Sequence, residues 1–232
     1  MRTAGVREWL LDLLFPRACL QCRAEGALLC RSCRAGITPI GPACPACGSR
    51  RLDARLCPSC YKQWRIQRFI APFAYRDPLA RTLIHSFKYD RVQDLAPLLA
   101  DEVMRWLARY HISLPKDAVF VPIPLHPNRE RERGFNQAEL FGRALSRASG
   151  IPLRPLLRRT RGTPPQSSLE SHAARQANVA DAFGIGDPRV SVPQKIILLD
   201  DVATSGATLR EAARTLRAHG ARTIWAVVIA KG

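Results

Sequence analysis

Two adjacent carboxylates, Asp200 and Asp201, follow directly on the apolar run Ile196-Ile197-Leu198-Leu199 and precede the small, hydroxyl-bearing run Ala203-Thr204-Ser205-Gly206-Ala207-Thr208. Paired acids offer hard oxygen ligands to sugar hydroxyls or a bound Mg2+. Small residues with hydroxyls and a glycine let backbone N–H groups come close to a phosphate. A ligand with hydroxyls or metal at one end and phosphate at the other suits both halves. Four apolar residues are too few for a helix and read as a strand buried on both faces of a parallel sheet. A helix starting near Thr208 would then set its N-terminus beside the small run, at the carboxyl end of the strand, where open α/β sheets bind ligands. The plainer alternative is a strand, turn and helix with an acid as cap; a cap needs one acid and gives the small residues no task.

A second stretch has the same plan. Ala118 to Pro124 is a short apolar strand with prolines at its exit, followed by a polar loop from Leu125 to Gln137 that carries Arg129, Arg131 and Arg133, and then a helix from about Gln137 to Ala148. Both loops should emerge at the same edge of the sheet. Planar guanidinium forks suit a second phosphate or a pyrophosphate. The alternating Arg and Glu residues equally permit ion pairing at i,i+3 and i,i+4 along a helical extension. From Arg158 to Phe183 the chain, rich in Gly, Pro, Ser and Thr and carrying Arg175, reads as a mobile surface loop. Its position before the acid-bearing strand suits a lid over bound ligand; a connection with no role is the alternative.

All eight cysteines fall in one block, as Cys19/Cys22, Cys30/Cys33, Cys44/Cys47 and Cys57/Cys60. The C-x2-C spacing lets two thiolates from one turn reach the same tetrahedral Zn2+, so four knuckles supply two four-cysteine sites. Pairing along the chain puts Cys19, Cys22, Cys30 and Cys33 on one metal and the other four on the second; an interleaved pairing is also open. Four thiolates leave no position for water, so the zinc is structural. A disulfide scaffold fits less well in a chain that reads as cytoplasmic and has no cysteine elsewhere. Arg17 to Arg65 hold nine Lys/Arg against two Asp/Glu, a basic platform for nucleic acid on which Trp64 is available for base stacking. No other core is visible for this block, so chelation is expected to abolish it and leave the C-terminal fold intact.

The remaining pattern supplies the frame. Phe69 to Tyr75 reads as an edge strand because Pro72 cannot donate in a central one. Leu79 to Phe87 and Leu95 to Tyr110 read as helices, Thr208 to Ala218 as a helix ending at Gly220, and Thr223 to Ala230 as a final strand. Lys88 and Tyr89 are taken as a solvated lysine and a core aromatic in preference to ligand-facing groups. Val6, Trp9, Leu10, Leu13 and Leu14 give residues 1–16 one apolar helical face, a docking helix. Glu8 and Asp12 interrupt that apolar patch and no cleavage site follows, which argues against a signal peptide. No run is long and apolar enough to cross a bilayer. With 36 Lys+Arg against 19 Asp+Glu, a net charge of +17 favours polyanionic partners, single-stranded DNA among them.

The Asp-Asp loop resembles the phosphoribosyl pyrophosphate loop of type I phosphoribosyltransferases. That resemblance implies a type I phosphoribosyltransferase-like α/β fold, with Asp200 and Asp201 on the ribose, Ala203, Thr204, Ser205, Gly206, Ala207 and Thr208 on the 5′-phosphate, and Mg2+ bound with the ligand. Taken with the four knuckles, His85 to Tyr89, Val121 to Leu125, Arg133-Gly134-Phe135-Asn136-Gln137, the set Thr163, Gln166, Leu169, Arg175, Asn178 and Phe183, and Leu198 to Thr208, the chain resembles the ComF family, with its ComFC- and GntX-like members. The resemblance spans residues 17–232 and implies a double zinc ribbon (17–63) followed by a phosphoribosyltransferase-like domain (64–232), in front of which stands the amphipathic helix read from residues 1–16. It also implies a role in natural transformation, with single-stranded DNA and proteins of the DNA-uptake machinery as partners. The acceptor of a phosphoribosyl group is not implied by it.

Overall fold

The acid-bearing strand lies in the middle of a parallel sheet. In the structure, a computed structural model, residues 17–90, 92–160 and 181–232 are described. The proposed docking helix and the centre of the lid, with Arg175, lie outside them. Two short helices belong to the cysteine block, α1 (Arg31–Gly36) and α2 (Pro58–Trp64). Then follow β1 (Arg68–Ile70), β2 (Phe73–Ala74), α3 (Pro78–Lys88), α4 (Leu95–Arg109) and β3 (Val119–Pro122). Next come α5 (Pro127–Arg133), α6 (Gln137–Ser149), β4 (Leu157–Arg159) and β5 (Phe183–Ile185). The chain closes with β6 (Lys195–Ala203), α7 (Ala207–Ala218) and β7 (Thr223–Lys231).

The strand order is β1-β7-β6-β3, with β2 pairing further along the same side of β7, and every one of these pairings is parallel. The expected edge strand is therefore one line interrupted at Ala71-Pro72, where the proline cannot continue the ladder. Residues of β6 alternate between two cores. Ile197 and Leu199 pack with α3, α4 and α6 on one face, and Ile196 and Leu198 pack with α7 on the other. That two-sided burial is why the strand reads as an unbroken apolar run. The architecture is the phosphoribosyltransferase-like α/β fold with a cysteine-rich module in front.

Three local expectations change. The Arg-rich loop is a helix, α5, capped at its start by the His126 side chain and closed by Gly134 at φ +81. The segment read as mobile from Arg158 is pinned at both ends by the antiparallel pair β4–β5, in which Arg159 faces Phe183. The cysteine block also has a core after all: Cys19, Leu29, Ile37 and Ala54 join the cluster on one face of the sheet, whereas Cys44, Leu56, Cys57 and Trp64 join the other. The block straddles the sheet edge and pairs with it, the Phe69 N–H donating to Ala54 and the Leu56 N–H to Gln67 at 2.9 and 3.0 Å.

Candidate functional site

The two cysteine clusters follow chain order. Cys19, Cys22, Cys30 and Cys33 form one and Cys44, Cys47, Cys57 and Cys60 the other, each with its four sulfurs within 4.8 Å of one another. Zn–S bonds of about 2.3 Å demand S···S edges of about 3.8 Å in a tetrahedron. The 3.6 Å between Cys22 and Cys30 is close to that spacing, and the 3.2 Å between Cys47 and Cys57 is tighter than it, so those two sulfurs would move apart on a metal. Thiol chemistry agrees. Hydrogen bonds from Ser49 and Cys47 hold Cys57 down at about 6, whereas burial and the neighbouring thiols push Cys60 up to about 12. A dication among four sulfurs replaces the protons they would otherwise share. Arg34 of α1 ties the first cluster to α4 through ion pairs with Asp101 and Glu102.

At the carboxyl end of β6 a cavity of about 540 Å3 opens, lined by Asp200, Asp201, Thr204, Thr208, Lys88, Arg129, Arg133 and Arg159, among others. The acid-bearing loop and the Arg-rich segment thus meet at one edge. Within α5, Arg129 and Arg133 are four residues apart and share the inward face; Arg131, two residues from each, points to solvent and hydrogen-bonds Asn128 at 2.5 Å. Arg133 is held by Gln137 at 2.9 Å and by the Tyr89 ring, whose centroid is 5.1 Å away. Asn136 caps α6 and donates to the Ile123 carbonyl at 3.0 Å, anchoring the exit of β3. In the small-residue loop, Ala203, Gly206 and Ala207 are buried backing while Thr204, Ser205 and Thr208 reach solvent; of these, Thr204 and Thr208 line the cavity.

Lys88 and Tyr89 reverse their sequence reading. Lys88 is the buried one, its Nζ 2.7 Å from Asp201 Oδ1 with both side chains no more than 16% exposed, and Tyr89 is 58% exposed. The signal was available: Lys88 closes a helix whose apolar face enters the core, and its aliphatic stem follows that face inward. Arg159 went unseen because its strand was read as loop. Trp64 is 3% exposed and is not available for base stacking.

The two acids differ. Burial and the adjacent Asp201 charge push Asp200 up to about 7, against the Asp201 N–H at 2.8 Å and the charges of Lys88 and Arg159. Burial would lower Lys88, but the Asp201 and Asp200 carboxylates outweigh it and raise it. Lys88 therefore keeps its charge beside Asp201, while Asp200 exchanges its proton near neutrality. Opposite the acids, burial and mutual repulsion lower both Arg159 and Arg129, with Arg129 acting on Arg159 and Arg133 on Arg129. An anion bound among these guanidinium groups relieves that repulsion.

Among the described residues no helix is long and apolar enough to cross a membrane. The double zinc ribbon domain model matches residues 10–61. Competence protein F of Haemophilus influenzae is 32% identical over 220 residues, covering 89% of this chain and 93% of that protein. The DNA utilization protein YhgH of Escherichia coli K12 is 31% identical, with 91% and 96% covered. Competence protein ComFC of Bacillus subtilis is 31% identical, with 83% and 79% covered. Similarity that runs through both the cysteine module and the sheet, at these identities, means that the chain belongs to the ComF family.

Proposed function

We propose that the cavity binds phosphoribosyl pyrophosphate with Mg2+, and that the protein acts in DNA uptake during natural transformation. One observation carries the ligand: an acid pair, a hydroxyl-bearing loop at a helix start and three guanidinium groups surround a single cavity. The residues fit the metal, because Asp200 and Asp201 are the hard oxygen donors that Mg2+ takes. Bound there, Mg2+ would supply positive charge against the pyrophosphate. Thr204, Thr208 and the loop N–H groups hold the 5′-phosphate, Asp200 and Asp201 grip the ribose hydroxyls, and Arg129, Arg133 and Arg159 neutralise the pyrophosphate. Phosphoribosyl transfer to an acceptor entering from the open side is the reaction that such a site supports.

Calorimetry of the zinc-loaded protein with phosphoribosyl pyrophosphate and Mg2+ at pH 6, 7 and 8 tests the reading. Asp200 must give up its proton to grip the ligand, so affinity should rise with pH up to about 7, by as much as about tenfold per unit, and flatten above. Asp200→Asn should remove the dependence. Absence of binding at every pH would overturn the site.

Charge favours a second reading, a single-stranded-DNA-binding competence factor whose phosphoribosyltransferase fold serves as a ligand-responsive scaffold. The net charge is +17, and the relatives are named for competence and DNA utilization. A footprint of about five phosphates gives a log–log salt slope of about −3.5 for single strands. Fluorescence anisotropy showing no salt dependence would remove that electrostatic account.

A further inference from the structure

Trp64 ends α2, the helix that begins after Cys57 and contains Cys60, so it hangs from the second cysteine cluster. Its indole lies against Gly206 of the small-residue loop. A Cβ on Gly206 would overlap the indole Cη2 and sit 2.6 Å from Cζ2 and Cζ3, and Gly206 has φ +71. The glycine is thus required both for the turn and for the contact. The two helices are fastened beyond that point. Arg210 of α7 lies 5.9 Å over the Trp64 ring, and Arg217 donates to the Arg65 carbonyl at 2.9 Å and to the Tyr61 hydroxyl at 3.1 Å. On its other side the loop is held by the last strand, with the Gly232 N–H on Ala203 at 2.9 Å and Lys231 Nζ on the Thr204 carbonyl at 3.0 Å.

We propose that zinc at Cys44, Cys47, Cys57 and Cys60 sets the receiving shape of the loop from Ala203 to Thr208, with Trp64 as the positioning residue between metal and loop. The proposal rests on the reading of that loop as the phosphate site. At seven residues, α2 is too short to persist unaided, and Cys57 at its N-cap makes no side-chain capping bond; metal ligation is what fixes its first turn. Loss of the metal releases Trp64, and Gly206 regains the freedom that the indole denies it. Among the described residues the first cluster has no such connection. Its helix α1 is fastened to α4, on the opposite face of the sheet. The two metals therefore differ in what they govern, which gives the test an internal control.

Three variants separate the possibilities. Trp64→Phe removes the outer edge of the indole but keeps an aromatic ring; Cys60→Ser cripples the second cluster and Cys33→Ser the first. Zinc content, amide hydrogen exchange at residues 203–208, and calorimetric binding of ribose 5-phosphate and of pyrophosphate are read for each. Trp64→Phe should keep both zincs, exchange faster at 203–208 and bind ribose 5-phosphate at least about tenfold more weakly, with pyrophosphate binding unchanged. Cys60→Ser should do the same with one zinc fewer, whereas Cys33→Ser should lose a zinc and leave the loop as it was. Equal loss of both ligands in Trp64→Phe, or unchanged exchange at 203–208, overturns the proposal. Where Cys60→Ser does not fold, chelation of Cys33→Ser, which holds only the second zinc, takes its place, and exchange at 203–208 that chelation leaves unchanged overturns the proposal. Wild-type protein that binds neither ligand while the exchange difference persists would overturn the phosphate reading and uphold the coupling.

Discussion

Asp200→Asn and Asp201→Asn will weaken binding of phosphoribosyl pyrophosphate with Mg2+ by similar factors and shift the stability of the free protein in opposite directions. Each removes a charged acceptor from the ribose end, a loss of about 1–3 kcal/mol, or several-fold to about a hundredfold in affinity. The stability effects follow from the surroundings. Asp200 is held near 7 in the fold against about 4 in an open chain, so its protonated form favours folding, and that contribution is lost as pH rises through about 7. At pH 8 an uncharged amide removes the cost, and Asp200→Asn should be more stable by up to about 4 kcal/mol. Asp201→Asn leaves Lys88 enclosed without its 2.7 Å partner and should cost about 2–3 kcal/mol. Denaturant melts at pH 8 beside calorimetry read both quantities. DNA affinity, measured by anisotropy at fixed salt, should stay level or rise slightly, since carboxylates repel a phosphate backbone. Equal stability changes in the two variants would mean that the acids share one environment; an undiminished ligand affinity would take them out of the site.

Chelation will lower the stability of the whole chain, including the sheet. Zinc supplies about 10–16 kcal/mol of apparent binding energy in isolated zinc-finger peptides. Here the cluster residues are also core residues: Cys19 on one face, Cys44 and Cys57 on the other, with Trp64 against α7. If about 3–5 kcal/mol of that energy is felt by the sheet, Tm falls by about 10 °C in a chain of this size. Circular dichroism melts with and without chelator, and metal analysis giving two zincs per chain beforehand, check it. A sheet melting at unchanged temperature after both zincs are gone would show that the module is only attached, as the sequence had implied.

What could be read from the sequence was whatever declares itself over a few adjacent residues. The C-x2-C pairs, the apolar run into Asp200 and Asp201, and the glycine after Ser205 each carry their reason locally, through ligand spacing, two-sided burial and turn geometry. Lys88 and Arg159 carry theirs at a distance: one is a charge drawn into the core by the helix that it ends, the other a side chain aimed by a short β pairing across a long excursion. Arg129, Arg131 and Arg133 were equivalent as letters, and only the helical turn of α5 separates the pair that faces the cavity from the one that does not. Trp64 was misread for a related reason. A tryptophan beside a basic cluster looks like a stacking platform until the loop that it supports, more than a hundred residues later, is seen beneath it.

The pairing of the cysteine block with β1 has a consequence for how such a chain could have been assembled or shortened. Strand rows left open invite other chains, and both rims of this sheet are occupied: Ala54 and Leu56 take the outer side of β1, while Pro152 and Arg154 hydrogen-bond to Phe120 at the far side of β3. A lineage that shed its metal module would bare the Phe69 N–H and the Gln67 carbonyl along an apolar strand, a template for self-association. Loss of the module would therefore call for another guard on the same rim, a charge, a bulge or a new segment laid across it.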